Sequence, residues 1–214
     1  MLQMSPAEAL CYIGKELIRR NMVHYLLGTI STRLEKNPPI FLVKPADCLY
    51  ELADKYDFVK VNEKGIPLDH NSSRGPSLNF LVHAACYKAR PDIGGIVHAH
   101  PENIVTLISS INLLKTIPLI TQETVWMVKN GEIPVVEDLD PTDLAQAVSE
   151  KIIDTNVVAI RNHGIMAVGK DILEAYGTAL VVEGEVAMIV KILSMGEEPH
   201  FRDKKTIERD LALM

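Results

Sequence analysis

Residues 156–169, "NVVAIRNHGIMAVG", hold two apolar runs with Asn162-His163-Gly164 between them. So short a turn joins strands that run back along each other, because parallel neighbours need a crossover of a dozen residues or more. The chain must therefore build at least part of its sheet from hairpins. "HYLLGTISTRL" and "PIFLVK", between His24 and Lys44, flank the polar turn material "EKNPP" and read as a second hairpin. "FVKV", "GGIVHAH" and "TIPLI" supply further strands.

Helical patterns are interleaved with these strands. Ser5, Pro6 and Glu8 form a capping box ahead of Leu10, Ile13 and Leu17, which fall on one face. A helix from about Leu78 to Ala89 places Leu78, Leu81, Val82 and Ala85 at helical spacing and stops at Arg90-Pro91-Asp92. "PENIVTLISS" opens with a proline suited to a first turn, and Asp140, Pro141 and Asp143 cap a helix through Ile153. Asp171 and Glu174 cap a long last helix through about Leu193. The fold class is α/β: a mixed or largely antiparallel sheet with helices packed around it, in one domain over residues 1–214.

A 47% hydrophobic content over 214 residues is enough for one substantial core. The net charge of −6, with lysines and arginines scattered, gives no general attraction for nucleic acid. No stretch reaches the roughly 20 apolar residues of a membrane span, and none reads as an export signal. Cys11, Cys48 and Cys86 are odd in number and widely spaced, which argues against a disulfide framework and fits a reducing cytoplasm.

On a strand, side chains two apart share a face, so His98 and His100 can offer two imidazoles to one ion. His-x-His spacing also occurs on strands without any metal. His163 sits at the hairpin turn beside Gly164 and reads either as a polar residue satisfying local backbone groups or as a third ligand. Three neutral imidazoles with one open position are a known catalytic zinc arrangement. His24, His70 and His200 read as surface groups, and His83, on the helix before the metal strand, as a core residue or a support for the site.

Taken together, "GTISTR" (28–33), "GPSLNFLVHAACYKARPD" (75–92), "GGIVHAHPENIVTL" (94–107), "GEIPVV" (131–136) and "RNHGIMAVGKDILEA" (161–175) resemble the class II aldolase/adducin family, which includes fuculose-phosphate aldolase and ribulose-phosphate 4-epimerase. The resemblance implies a single α/β/α domain around a mostly antiparallel sheet and a C4 homotetramer with active sites between subunits. It also implies that His98, His100 and His163 are ligands of a zinc ion, a set that manganese or cobalt also suits, and that the substrate is a small molecule.

The chain departs from that pattern where the family carries out proton transfer. The family's catalytic carboxylate falls on Asn79, and a carboxamide cannot trade a proton near neutral pH. Its phosphate cradle falls on Thr29 and Ser31, on Ala46 and Asp47, and on Ser77, with Leu78 in place of a second serine. Asp47 would repel a phosphate dianion if it faced that pocket. Glu123, close to the family's proton-donating tyrosine, and Glu102 are candidates to replace the missing acid, although each also suits the first turn of a helix. Arg33 and Arg74 are candidate anion-binding forks, and Tyr87 reads as packing. The leading expectation is a zinc-dependent carbon–carbon lyase acting on a keto-sugar phosphate or a related acid. A metal-dependent decarboxylase is the alternative, and a non-catalytic adducin-head-like assembly module is the third.

Overall fold

The computed structural model describes residues 4–69, 74–110 and 114–213, so His70 lies outside the described residues. Eight strands form one sheet: β1 Thr29–Lys36, β2 Pro39–Val43, β3 Val59–Asn62, β4 Gly95–Ala99, β5 Thr116–Pro118, β6 Glu132–Val136, β7 Val157–Ile160 and β8 Gly164–Gly169. Their order is β3-β2-β1-β4-β8-β7-β6-β5, antiparallel throughout except for the parallel β6–β7 pair. The mixed, mainly antiparallel sheet expected from the hairpins is the one found.

Strand alternation sorts side chains into two layers. Ile30, Val97, Ala99, Ile165 and Ala167 pack with helices α1 (Pro6–Arg19), α3 (Glu102–Ile108), α4 (Gln122–Val128) and α6 (Ile172–Ser194). Val43, Ile96, Met166 and Val168, from the opposite face, pack with α2 (Phe80–Ala89) and α5 (Pro141–Lys151). β4 and β8 are buried along their whole length, and each large aliphatic side chain buried there contributes about 1.5–3 kcal/mol. The ends of these two strands are thereby rigid mounts.

Several boundaries differ from the sequence expectation. The segment from His24 to Leu27 is turn, and β1 begins at Thr29. The helix ending near Leu193 is not the last, because α7 (Lys204–Leu211), whose mean polarity hid it, packs back on α4 through Trp126 Nε1, which donates to the Asp210 carbonyl at 2.8 Å. On α2 the buried side is Phe80, Val82, His83, Cys86 and Tyr87, while Leu78 is 85% exposed and Leu81 47%. The apolar stripe misled because the inner face of α2 carries polar side chains that find partners. Ser31 Oγ bonds His83 Nδ1 at 2.8 Å and Tyr87 Oη at 3.0 Å, and the Tyr87 ring stacks on Phe41.

Candidate metal centre

His98 is the fourth residue of β4, paired with Thr29 of β1 on one side and Met166 of β8 on the other. His100 follows just past the strand end, its backbone N–H donating to the Met22 carbonyl at 2.8 Å. His163 occupies the β7–β8 turn, where Asn162 takes the left-handed conformation, φ +57°. The freedom expected of Gly164 is used differently: a Cβ there would lie 2.1 Å from the Ala99 carbonyl oxygen, so the glycine lets the turn close against the end of β4. That contact brings His163 to the other two rings.

The three rings converge through their Nε2 atoms, 3.2 Å apart for His98 and His163 and 3.1 Å for His98 and His100. His98 Nδ1 lies 2.9 Å from the Ile165 carbonyl and His163 Nδ1 lies 3.0 Å from Asp138 Oδ1. Those acceptors assign the ring proton to Nδ1 in both residues, which leaves two Nε2 lone pairs facing each other. Without a cation between them that arrangement is repulsive. Nitrogens held about 2.0–2.1 Å from a zinc ion stand roughly 2.9–3.4 Å from one another, so the observed separations fit a divalent ion. Burial holds His98 well below the usual imidazole range, and burial together with His163 takes His100 down to about 4. Neutral rings are what metal ligation requires.

His100 and His163 line a cleft of about 550 Å³ whose wall also includes His24, Glu102, Asp138 and Asn162, with His98 buried behind them. Nothing in the sequence had singled out Asp138, and His24, expected as a surface group, is exposed but faces this cleft. A roomier groove of about 690 Å³ beside α2 and the β1–β2 hairpin is lined by Phe41, Leu81, Ala84 and Ala85 and lies apart from the histidines.

The residues named for the cradle divide. Thr29, opposite His98, donates from Oγ1 to Ser77 Oγ at 2.8 Å, and the chain at Lys44–Asp47 pairs with the segment at Gly75–Ser77 through a Pro45–Pro76 bridge. Thr29, Ser77, Ala46 and Asp47 thus gather beside the β1–β4 end of the sheet. Ser31 does not join them: it is fully buried beneath α2 with its hydroxyl already engaged. Asp47 is tied to Arg74 at 2.9 Å, and Arg74 also reaches Asp57 at 2.7 Å. Arg33 donates to the carbonyls of Tyr87 and Ile93 at 2.9 and 3.0 Å, a structural use of its fork. Lys44, unremarked in the sequence, is 1% exposed, and its ammonium donates to the Leu26 carbonyl at 2.7 Å.

Asn79 is the residue before α2, and its side chain makes no capping bond. Glu123 is exposed in the first turn of α4, outside the wall of the cleft.

Known proteins resemble the chain in sequence and in fold. The family model described as the class II aldolase and adducin N-terminal domain matches residues 8–190. The chain is 29% identical to a methylthioribulose-1-phosphate dehydratase of Bacillus mycoides over 191 residues, 86% of this chain and 88% of that one. It is 26% identical to a 5-deoxy-D-ribulose 1-phosphate aldolase of Bacillus thuringiensis over 197 residues, 92% and 89% of the two chains. A solved L-fuculose 1-phosphate aldolase superposes with a TM-score of 0.86 at 20% identity, covering 100% of this chain and 97% of that one, a likeness of fold.

Proposed function

The chain belongs to the class II aldolase/adducin family, and from that premise we propose that it is a zinc-dependent lyase cleaving a carbon–carbon bond of a small ketose phosphate. The observation that carries this reading is the meeting of three Nε2 atoms beside an open cleft that His100 and His163 line. A non-catalytic assembly module has no use for such a trio, whose close lone pairs cost stability unless an ion joins them. When bound, a divalent ion would supply positive charge to the carbonyl and hydroxyl oxygens of the substrate and stabilise the negative charge released as the bond breaks.

The chain's own residues supply position and proton transfer. His98 and His100, fixed by β4, and His163, fixed by the turn, would hold the ion beside the cleft. Asn79 can donate a hydrogen bond from its carboxamide but takes no proton. Glu102 and His24 line the cleft and are the candidates for that transfer within one chain. In a C4 homotetramer with sites between subunits, Glu123 becomes a third. Thr29, Ser77 and the backbone at Ala46 and Asp47 form the proposed binding edge for the far end of the substrate. The proposed enzyme is cytoplasmic, a reading its three free cysteines support.

Elimination of water from a ketose phosphate is the second reading, favoured by the likeness to a dehydratase over 86% of the chain. It would draw on the same charge at the carbonyl oxygen and break a neighbouring bond instead. Decarboxylation of a keto acid is the reading Asn79 by itself would favour, since it asks for no base at a hydroxyl. Zinc-loaded protein incubated with fuculose 1-phosphate, methylthioribulose 1-phosphate and a small keto acid, with products followed by NMR, separates the three. Cleavage releases dihydroxyacetone phosphate and an aldehyde, elimination gives a diketone phosphate, and decarboxylation gives CO2. No turnover of any of them with metal bound would defeat the lyase reading.

A further inference from the structure

His163 differs from its two companions in how it is held. His98 lies inside a fully buried strand with Nδ1 on a backbone carbonyl, and His100 is one residue beyond that strand. His163 stands in a turn, its side chain 26% exposed, and its Nδ1 bonds to a side chain, Asp138 Oδ1. Asp138 comes from the segment just after β6. Its neighbour Glu137 grips Arg161 with both carboxylate oxygens, 2.9 and 3.0 Å from Nε. Arg161, nearly buried, donates in turn to the Ile108 and Leu114 carbonyls at 3.3 and 2.7 Å, and its backbone N–H to the Val136 carbonyl at 2.9 Å. Two adjacent acids after β6 therefore meet two residues of the β7–β8 turn, one on either side of left-handed Asn162.

We infer that Glu137 and Asp138 form a clamp on this turn, in which Asp138 is the positioning residue that aims His163 Nε2 at the ion and Glu137 anchors the turn through Arg161. The inference rests on the metal reading above and adds which group decides how tightly the third ligand is presented. An imidazole at a turn can rotate about two side-chain bonds, and accepting its Nδ1–H fixes both the tautomer and the ring plane. Removing an acceptor of this kind typically weakens metal binding by about 10- to 100-fold while all the ligands remain.

The test uses the full chain stripped of metal and titrated with Zn2+ against a competing chelator and with Co2+ followed by its visible absorption. Asp138→Ala is expected to bind zinc about 10- to 100-fold more weakly, with an altered Co2+ spectrum and a metal-free melting temperature close to wild type. Asp138→Asn, whose amide oxygen still accepts a hydrogen bond, is expected to lose less, and it gives the same comparison if the alanine variant does not fold. Wild-type affinity and an unchanged Co2+ spectrum in Asp138→Ala would overturn the clamp while leaving the metal reading standing. A wild-type protein that binds neither ion would overturn both.

Discussion

Two arcs of the same sheet end can be set side by side. One, made of His98, His100 and His163, rests on buried strands and a tight turn, and its ligand atoms meet. The other, made of Thr29, Ala46, Asp47, Ser77 and Asn79, rests mainly on connecting segments. There the acid is an amide, Asp47 is neutralised by Arg74, and Leu78 points to solvent. The contrast teaches that the histidine half is built into the scaffold, whereas the half proposed to bind the substrate rests on segments that can change without disturbing the core.

The sharpest way to break this contrast is to remove a ligand. His98→Ala, His100→Ala or His163→Ala should each weaken zinc binding by more than the roughly 10- to 100-fold that an outer partner is worth, with the fold retained by circular dichroism. Unfolding on metal loss would mean that the ion belongs to the core, not to a site mounted upon it.

Acid acts on buried imidazoles in or beneath both arcs. Burial takes His83, beneath the second arc, down to about 3 from an ordinary 6.5. Below pH about 6.5 the unfolded chain takes up a proton that the folded chain refuses, so metal-free stability falls as pH drops towards about 3. His83 alone accounts for a loss of about 3 kcal/mol by pH 4, and the lowered His98 and His100 add to the same slope. Chemical denaturation across this range, with His83→Gln giving a shallower slope, checks the prediction. A flat profile would contradict it.

Gly164→Ala sharpens the first arc. Its new Cβ meets the Ala99 carbonyl oxygen at 2.1 Å and His100 Cδ2 at 2.9 Å, both part of the ligand mount. A loss of about 2–4 kcal/mol in unfolding free energy and weaker zinc binding are expected. An unchanged melting curve would show that the turn has slack.

Asn79→Glu addresses the second arc and carries the smallest expected effect on the molecule as a whole. If the acid is what is missing, cleavage of ketose phosphates should rise by about tenfold or more, towards the scale of general acid–base catalysis. No gain would locate the divergence in the Asp47–Ser77 edge instead.

The same contrast explains what could be read from sequence. Period-two alternation placed His98 and His100 on one face, and hairpin chemistry placed the β7–β8 turn, because both are local rules that tertiary packing leaves intact. The capping box at Ser5 held for the same reason, with Glu8 Oε2 accepting from the Ser5 N–H at 3.0 Å. Local rules left His83 as a core or supporting residue and Tyr87 as packing, but did not show that both bond Ser31, 52 and 56 positions away. Nor did they reveal the Glu137–Asp138 contacts to Arg161 and His163, which depend on β6 running beside β7. Buried Lys44 went unnoticed because lysine is ordinarily a surface residue and its carbonyl partner lies in another turn.

The most direct measurement is the metal content of the purified wild-type chain after zinc loading and removal of excess, read by mass spectrometry beside the His163→Ala variant. One ion per wild-type chain and close to none in the variant is the predicted result. Equal content in the two proteins, or none in either, would contradict the convergence of the three rings on a single cation.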